Sequence, residues 1–347
     1  MRRELVIDGV KVGDDHPPYV VAEVGSNHSG SASLAAAMFE AAHRRGANAV
    51  KLQKRDNRHL FTSVLYNQPY NNDNSFGTTY GEHREALELS ESDYRNLKEI
   101  ALRVGITMFA TPFDEPSVDF LASLDVPAFK VASADMKNTP LIRRMAKHGK
   151  PLIISTGGGN LDDVKRAREA AGDAPVALLQ CTAAYPCKAD ALHLRVIELY
   201  RSEFPEDVIG LSDHQDGICL GPAAYALGAR IFEKHFTLDH GARGTDHAFS
   251  LEPAGLEQYI HNLRTTAAAM GDNHKRSLEC EKNPLRKMAK SPYAKSDMPA
   301  GHLLSEDDIA LKSPADFLPA HELYNLVGRR LKHEVRQDDP LLPEDVG

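Results

Sequence analysis

The chain of 347 residues contains no stretch of about 18 consecutive apolar residues, which excludes a membrane-spanning helix. No secretory leader is expected, because Met1-Arg2-Arg3 leads straight into the strand-like Glu4–Val10 with no apolar segment of the required length. Cysteine is scarce: Cys181, Cys187, Cys219 and Cys280 have neither CxxC spacing nor the density of a secreted scaffold, so reduced thiols in a cytoplasm are expected. Positive charge is in deficit, with 41 Lys and Arg against 49 Asp and Glu and a net charge of −8. That balance argues against nucleic acid or an anionic membrane as partner. A phosphate-bearing ligand would therefore need a local pocket of positive charge. Finally, no GxGxxG follows the first strand-like run, which leaves an open doubly wound sheet as the second choice of fold.

What the chain does have is eight short apolar runs, each ending in polar or charged residues. They are Val20–Glu23, Ala49–Gln53, Ile106–Thr111, Ala128–Ser133, Leu152–Thr156, Val176–Thr182, Val208–His214 and Ile231–His235. Helical patterns alternate with them: Ser31–Arg45, Ser92–Val104, Glu115–Leu124, Pro140–His148, Leu161–Ala171, Asp190–Ser202, Gly217–Leu227 and Pro253–Met270. Eight βα units predict an α/β chain whose parallel strands close into a (β/α)8 TIM barrel. Charges at the ends of buried strands call for a ligand, since an unpaired buried charge costs several kcal/mol.

One segment breaks the rhythm. Arg55–Ser90 is too long for an ordinary barrel loop and reads as a functional rim loop. After Met270 the pattern changes again, giving a barrel domain over 1–270, a linker over 271–283 and a small β-rich module over 284–347. Within that module Leu303–Ile309 resembles Leu341–Val346, either as a short duplication or as a chance match of two acidic turns. So small a core is expected to lean on the barrel or on a partner subunit.

The strand ends carry the chemistry. His214 and His235 close the last two strands, and two imidazoles there can converge on one divalent metal, with oxygens from Glu23, water or substrate completing the shell; Mn²⁺ suits such a set, and Mg²⁺ or Co²⁺ are the other options. The plainer reading is a pair of satisfied core histidines. Lys51 and Lys130, accompanied by Thr111, Ser133, Ser155 and Ser212, look like an anion cradle, although a single Ser or Thr at a strand end is commonly a helix N-cap. Gly157-Gly-Gly159 is either a backbone approach to an anion or a tight turn.

The segments Ala22–His28, Lys51–Gln53, Thr111–Phe113, Phe129–Ser133, Ser155–Gly157, Gln180–Pro186, Gly210–His214 and Lys234–Phe236 together resemble the N-acetylneuraminate (sialic acid) synthase family. The C-terminal module resembles that family's antifreeze-like (SAF) domain. The resemblance implies a metal-dependent condensation of phosphoenolpyruvate with an N-acetylhexosamine aldehyde, namely N-acetylmannosamine, its 6-phosphate or a related aldose. The products are phosphate and a nine-carbon 2-keto-3-deoxy acid. It places phosphoenolpyruvate on Lys51, Thr111, Lys130, Ser133, Ser155 and Ser212, and the sugar on Gln53, Asn74, Asp135, Tyr185 and Asp246. His214 and His235 would hold the metal, with Glu23 orienting water. It further implies a homodimer in which each antifreeze-like domain covers the partner's barrel.

Three positions depart from the family pattern: Asp135 replaces a glutamate, Ala183 an asparagine, and Ser313, beside Lys312, an arginine that reaches into the partner. Gly77–His83 and Arg243–Pro253 look closer to the animal-type sialic acid phosphate synthases. Competing readings are another phosphoenolpyruvate-dependent sugar-acid synthase, a metal aldolase that releases no phosphate, and a catalytically silent sugar-binding barrel.

Overall fold

The computed structural model describes residues 3–347. Met1 and Arg2, the head of the stretch read as lacking a leader, lie outside the described residues. The chain divides into two compact units, Met1–Gly271 and Asp272–Gly347.

The first unit opens with an antiparallel hairpin, β1 (Glu4–Ile7) and β2 (Val10–Gly13). Sequence reading took Glu4–Val10 as one strand and overlooked its turn signal. Asp8 and Gly9 have φ of 51° and 76°, the left-handed pair that an Asp-Gly hairpin requires. Eight parallel strands then close into a barrel: β3 (Tyr19–Gly25), β4 (Ala49–Lys54), β5 (Thr107–Pro112), β6 (Phe129–Val131), β7 (Leu152–Ser155), β8 (Val176–Cys181), β9 (Val208–Asp213) and β10 (Ile231–His235), with β10 pairing back onto β3. All eight expected strands are present, since parallel strands buried on both faces read as unbroken apolar runs.

Side-chain alternation sorts each strand into two faces. Val20, Ala22 and Val24 on β3, like Val50 and Leu52 on β4, point outward into the core shared with the helices. Tyr19, Val21, Ala49, Phe109, Ile153, Ala177, Leu179, Val208 and Ile231 point inward and form a second core with Leu5, Ile7 and Val12 of the hairpin. Most of these inward residues lie in the first halves of their strands, so the hairpin plugs the N-terminal end of the barrel and the interior is open only at the C-terminal end.

The helices follow the expected spacing with trimmed ends. Asp190–Ser202 is the exception: only Val196–Glu203 is α-helical, preceded by a 3-10 turn at Ala189–Ala191 and a His193 with φ of 46°. The Arg55–Ser90 insertion folds into three short helices, Asn57–Leu60, Ser63–Tyr66 and Tyr80–Leu87.

In the second unit a helix at Lys282–Met288 begins inside the stretch read as linker, and β11 (Ser291–Ala294) pairs antiparallel with β12 (Ile309–Lys312). The paired acidic segments adopt one conformation. Ser305 N–H donates to Asp308 Oδ2 and Leu342 N–H to Asp345 Oδ2, both at 2.8 Å, and each closes a 3-10 turn. Lys312 is held by Asp338 within its own unit, and Ser313 Oγ donates to Ala289 O at 2.9 Å. No helix is long and apolar enough to cross a membrane among the described residues.

Candidate active site

Two residues beyond the apolar floor, the same inward positions turn polar. Glu23 pairs in register with Lys51, and Ser212 with Glu233; Lys130, from β6, reaches the same group, so that two carboxyls and two ammonium groups meet. Lys51 Nζ lies 2.7 Å from Glu23 Oε2 and 3.7 Å from Glu233 Oε1, and it donates to Thr111 Oγ1 at 3.0 Å. Lys130 Nζ donates to Ser155 Oγ at 2.6 Å and lies 4.0 Å from Glu233 Oε1. All four charged side chains are at most 5% exposed.

The two carboxyls are driven apart. Burial pushes Glu23 up, helped by the neighbouring Glu233 charge. Burial also works against ionisation of Glu233, but Lys130 and Lys51 overcome it and hold this carboxyl below its usual range. Burial works against the charge on Lys51 as well, yet Glu23 and Glu233 keep it ionised. Lys130, with weaker support from Glu233, is pushed down by burial. The two neighbouring carboxyls are thus shifted in opposite directions, the pattern by which one site keeps both an acid and a base.

Above this layer stand the histidines. His214 Nδ1 donates to Thr182 O at 2.9 Å, which leaves Nε2 as the ring nitrogen free of that bond; burial works against the imidazolium, but Cys181, Thr182 and Glu233 outweigh it and push the imidazole up. His235 lies with its ring centroid 5.4 Å from that of His214. Its Nδ1 is buried without a hydrogen-bond partner, 3.8 Å from Asp246 Oδ2, and burial pushes the imidazole down to about 4. Tyr185 covers His214 at 4.2 Å between centroids. Beneath it Cys181 Sγ lies 3.9 Å from His214 Nδ1 and accepts from Ser133 Oγ at 3.4 Å; burial opposes thiolate formation there, but His214 outweighs it and lowers the thiol. Among the described residues no group of three or more His, Cys, Asp or Glu side chains is arranged for a metal ion.

These side chains line one cavity of about 790 Å³. It gathers Glu23, Lys51, Gln53, Asn74, Thr111, Lys130, Ser133, Ser155, Tyr185, Ser212, His214, His235 and Asp246, every sugar, phosphoenolpyruvate and metal position expected from sequence except Asp135. That residue sits in the 3-10 turn Ser133–Asp135 and accepts from Asn138 Nδ2 at 3.2 Å. Ser155 and Ser212 bond to Lys130 and Glu233 and are not helix caps. Gly157 N–H donates to Ser133 Oγ at 3.0 Å, and a Cβ on Gly157 would stand 2.9 Å from that oxygen; Gly157 and Gly158 form a turn, with Gly158 at a φ of 74°. Lys234 and Asp213, also at strand ends, pair with each other at 2.9 Å and do not line it. Sequence reading missed Glu233, Cys181, Arg55, Arg84 and Lys137, all of which do.

The insertion supplies one wall. Asn74 Oδ1 accepts from Gly244 N–H at 3.2 Å, and Arg243 donates to Asp73 O at 3.2 Å and to Ser75 O. The rim loop is thereby tied to the segment after β10.

The NeuB family matches residues 38–275 and the SAF domain matches residues 290–347. The N-acetylneuraminate-9-phosphate synthase of Homo sapiens is 38% identical over 96% of this chain and 94% of its own length. The N,N'-diacetyllegionaminic acid synthase of Campylobacter jejuni is 33% identical over 92% and 97%. Among solved structures, the N-acetylneuraminic acid synthetase of Leptospira borgpetersenii superposes with a TM-score of 0.72 at 29% identity, covering 82% of this chain and 95% of that one.

Proposed function

The chain belongs to the NeuB family, and from that premise we propose that it joins phosphoenolpyruvate to an N-acetylhexosamine aldehyde, releasing phosphate and a nine-carbon 2-keto-3-deoxy acid. The observation that carries this reading is the buried layer of Lys51, Lys130, Glu23 and Glu233 beneath two histidines in one cavity. Phosphoenolpyruvate brings a phosphate and a carboxylate. The two lysines, with Thr111, Ser133, Ser155 and Ser212, offer charged and hydroxyl donors for those oxygens. Lys130, charged against its burial, gains most from an incoming anion.

His214 and His235 fit a divalent cation: the first has Nδ1 bound to Thr182 O and Nε2 free of that bond, where a metal would take the place of a proton, and the second has a buried orphan nitrogen and is neutral near pH 7. The protein would supply two nitrogens and leave the other positions to water and substrate. A bound Mn²⁺ would supply Lewis-acid polarisation of the aldehyde. The enol carbon of phosphoenolpyruvate forms the new bond to the aldehyde carbon, whose oxygen takes a proton to become a hydroxyl; water then adds at the cationic C2, and the C2–O bond to phosphate breaks to leave the C2 ketone. Glu23, fixed by Gln53 Nε2 at 2.8 Å, orients that water. Glu233, the carboxyl held ionised, is able to take up its proton.

We place the enzyme in the cytoplasm as a homodimer. The second unit buries only nine hydrophobic side chains in its own core and leaves Leu303, Leu311, Phe317 and Tyr324 exposed, as a domain that covers a partner's barrel mouth would. The test is a substrate panel on the full-length protein with phosphoenolpyruvate, Mn²⁺ and varied aldoses, reading free phosphate and 2-keto acid together. Equal yields of both are expected; chelation should abolish them and Mn²⁺ restore them. Product without phosphate release would mark an aldolase, and full activity in metal-free protein would remove the metal from the account.

A further inference from the structure

The inward ladder of β4 extends past the groups already given roles. Ala49, Lys51 and Gln53 alternate along one face of β4 about 6.6 Å apart, and Arg55 follows just past the end of the strand. Ala49 belongs to the apolar floor, Lys51 to the buried charges, and Gln53 to Glu23 through its amide. Arg55 comes next, towards the mouth. Its guanidinium lies 3.8 Å from the Phe113 ring centroid, and Nη2 donates to Gln53 Oε1 at 2.7 Å.

A second guanidinium reaches the same cavity from the rim insertion. Arg84, on the helix Tyr80–Leu87, is fixed by donation from Nε to Tyr80 Oη at 3.1 Å. Among the described residues neither arginine forms an ion pair with a carboxylate. Glu88 is taken by Lys54 Nζ at 2.7 Å and by the backbone N–H of Arg55 at 3.2 Å, and Asp135, within electrostatic reach of Arg55, is bonded to Asn138 and pushed up by burial. Burial, and then the like charge of Arg84, push Arg55 down to about 10. Two guanidinium groups that line one cavity, with the Glu88 charge that acts on Arg55 already held by Lys54, cost free energy that an anionic ligand would recover.

We propose that Arg55 and Arg84 form a second anion subsite at the cavity mouth, which takes the terminal phosphate of a hexosamine 6-phosphate and makes the phosphorylated sugar the preferred acceptor. The inference rests on the synthase reading, which sets the polarity of the ladder. Phosphoenolpyruvate lies lowest, against Lys51, and the acceptor's carbon 1 must meet it. Carbon 6, the far end of the open chain, then points to the mouth. A phosphate there meets planar donor forks suited to its oxygens.

The test uses the full-length enzyme with saturating phosphoenolpyruvate and Mn²⁺. It compares kcat/KM for N-acetylmannosamine and N-acetylmannosamine 6-phosphate, read as 2-keto acid formed. The wild type should favour the phosphorylated sugar by about 100-fold or more, the scale of one desolvated charge-assisted contact pair. Arg84→Ala should cut that ratio by roughly tenfold or more, with Arg84→Lys restoring part of it. Equal kcat/KM for the two sugars in the wild type, or equal loss on both in Arg84→Ala, would overturn the subsite and leave the synthase reading standing. No keto acid from either sugar, or from any other aldose, would overturn the synthase reading itself and the subsite with it.

Discussion

The floor and the ceiling of the barrel interior are built from the same strands under the same alternation, yet they differ in every physical respect. On β5, β7 and β9 the inward residue changes from Phe109 to Thr111, from Ile153 to Ser155 and from Val208, through Gly210, to Ser212. On β3, β4 and β10 it changes from Val21 to Glu23, from Ala49 to Lys51 and from Ile231 to Glu233. The floor gains stability from apolar burial. The ceiling holds desolvated charges whose attraction is offset by the cost of taking them out of water. One step of two residues, or two steps on β9, therefore separates the part of the core that folds the chain from the part that acts.

The largest effect should come from exchanging the two kinds of layer. Replacing the buried pair as a unit, Lys130→Met with Glu233→Met, should leave folding stability within about 1 kcal/mol of wild type or raise it, while synthase activity falls by roughly 10³-fold or more. Phe109→Ala should do the reverse, losing about 3–5 kcal/mol while the molecules that remain folded keep their turnover. Denaturant unfolding alongside phosphate release reads both. A double variant as destabilised as Phe109→Ala would dissolve the distinction.

A smaller effect sharpens the same contrast just past the polar end of β3. His28 is 2% exposed, its Nδ1 accepts from Gly30 N–H at 3.1 Å, and burial pushes the imidazole down to about 4. An unfolded histidine titrates near 6.5. Its folded value is depressed, so the stability linked to it is complete above about pH 6.5 and is lost as pH falls towards 4, amounting to about 3 kcal/mol. The stability difference between wild type and His28→Gln should accordingly shrink as pH drops from 7 to 4.5. A difference that stays constant across that range would contradict the assignment.

The eight strands were legible because a parallel strand buried on both faces has no polar interruptions. Most site residues were legible because they end those runs. What escaped was direction. Lys234 and Asp213 are as charged and as terminal as Glu233, but alternation turns them outward to each other, whereas Glu233 shares the inward parity of Ile231 and His235. Counting back from a histidine by twos would have found Glu233, and from Leu179 forward would have found Cys181. Asp135 is the one expected position that does not line the cavity, because a 3-10 turn, invisible to either periodicity, follows β6 and its carboxylate accepts from Asn138. Arg84 lay beyond any such count, since it comes from an irregular insertion whose course is set by contacts such as Asn74 with Gly244.

The central claim is that the polar ceiling exists to hold phosphoenolpyruvate, and calorimetric titration of phosphoenolpyruvate into the full-length protein tests it most directly. Lys51→Met and Lys130→Met should each weaken binding by about 100-fold, the loss of one charged partner in a desolvated site, with the far-ultraviolet spectrum of a folded barrel retained. Wild-type affinity in both folded variants would return the two lysines to a structural role and leave the cavity without its proposed first substrate.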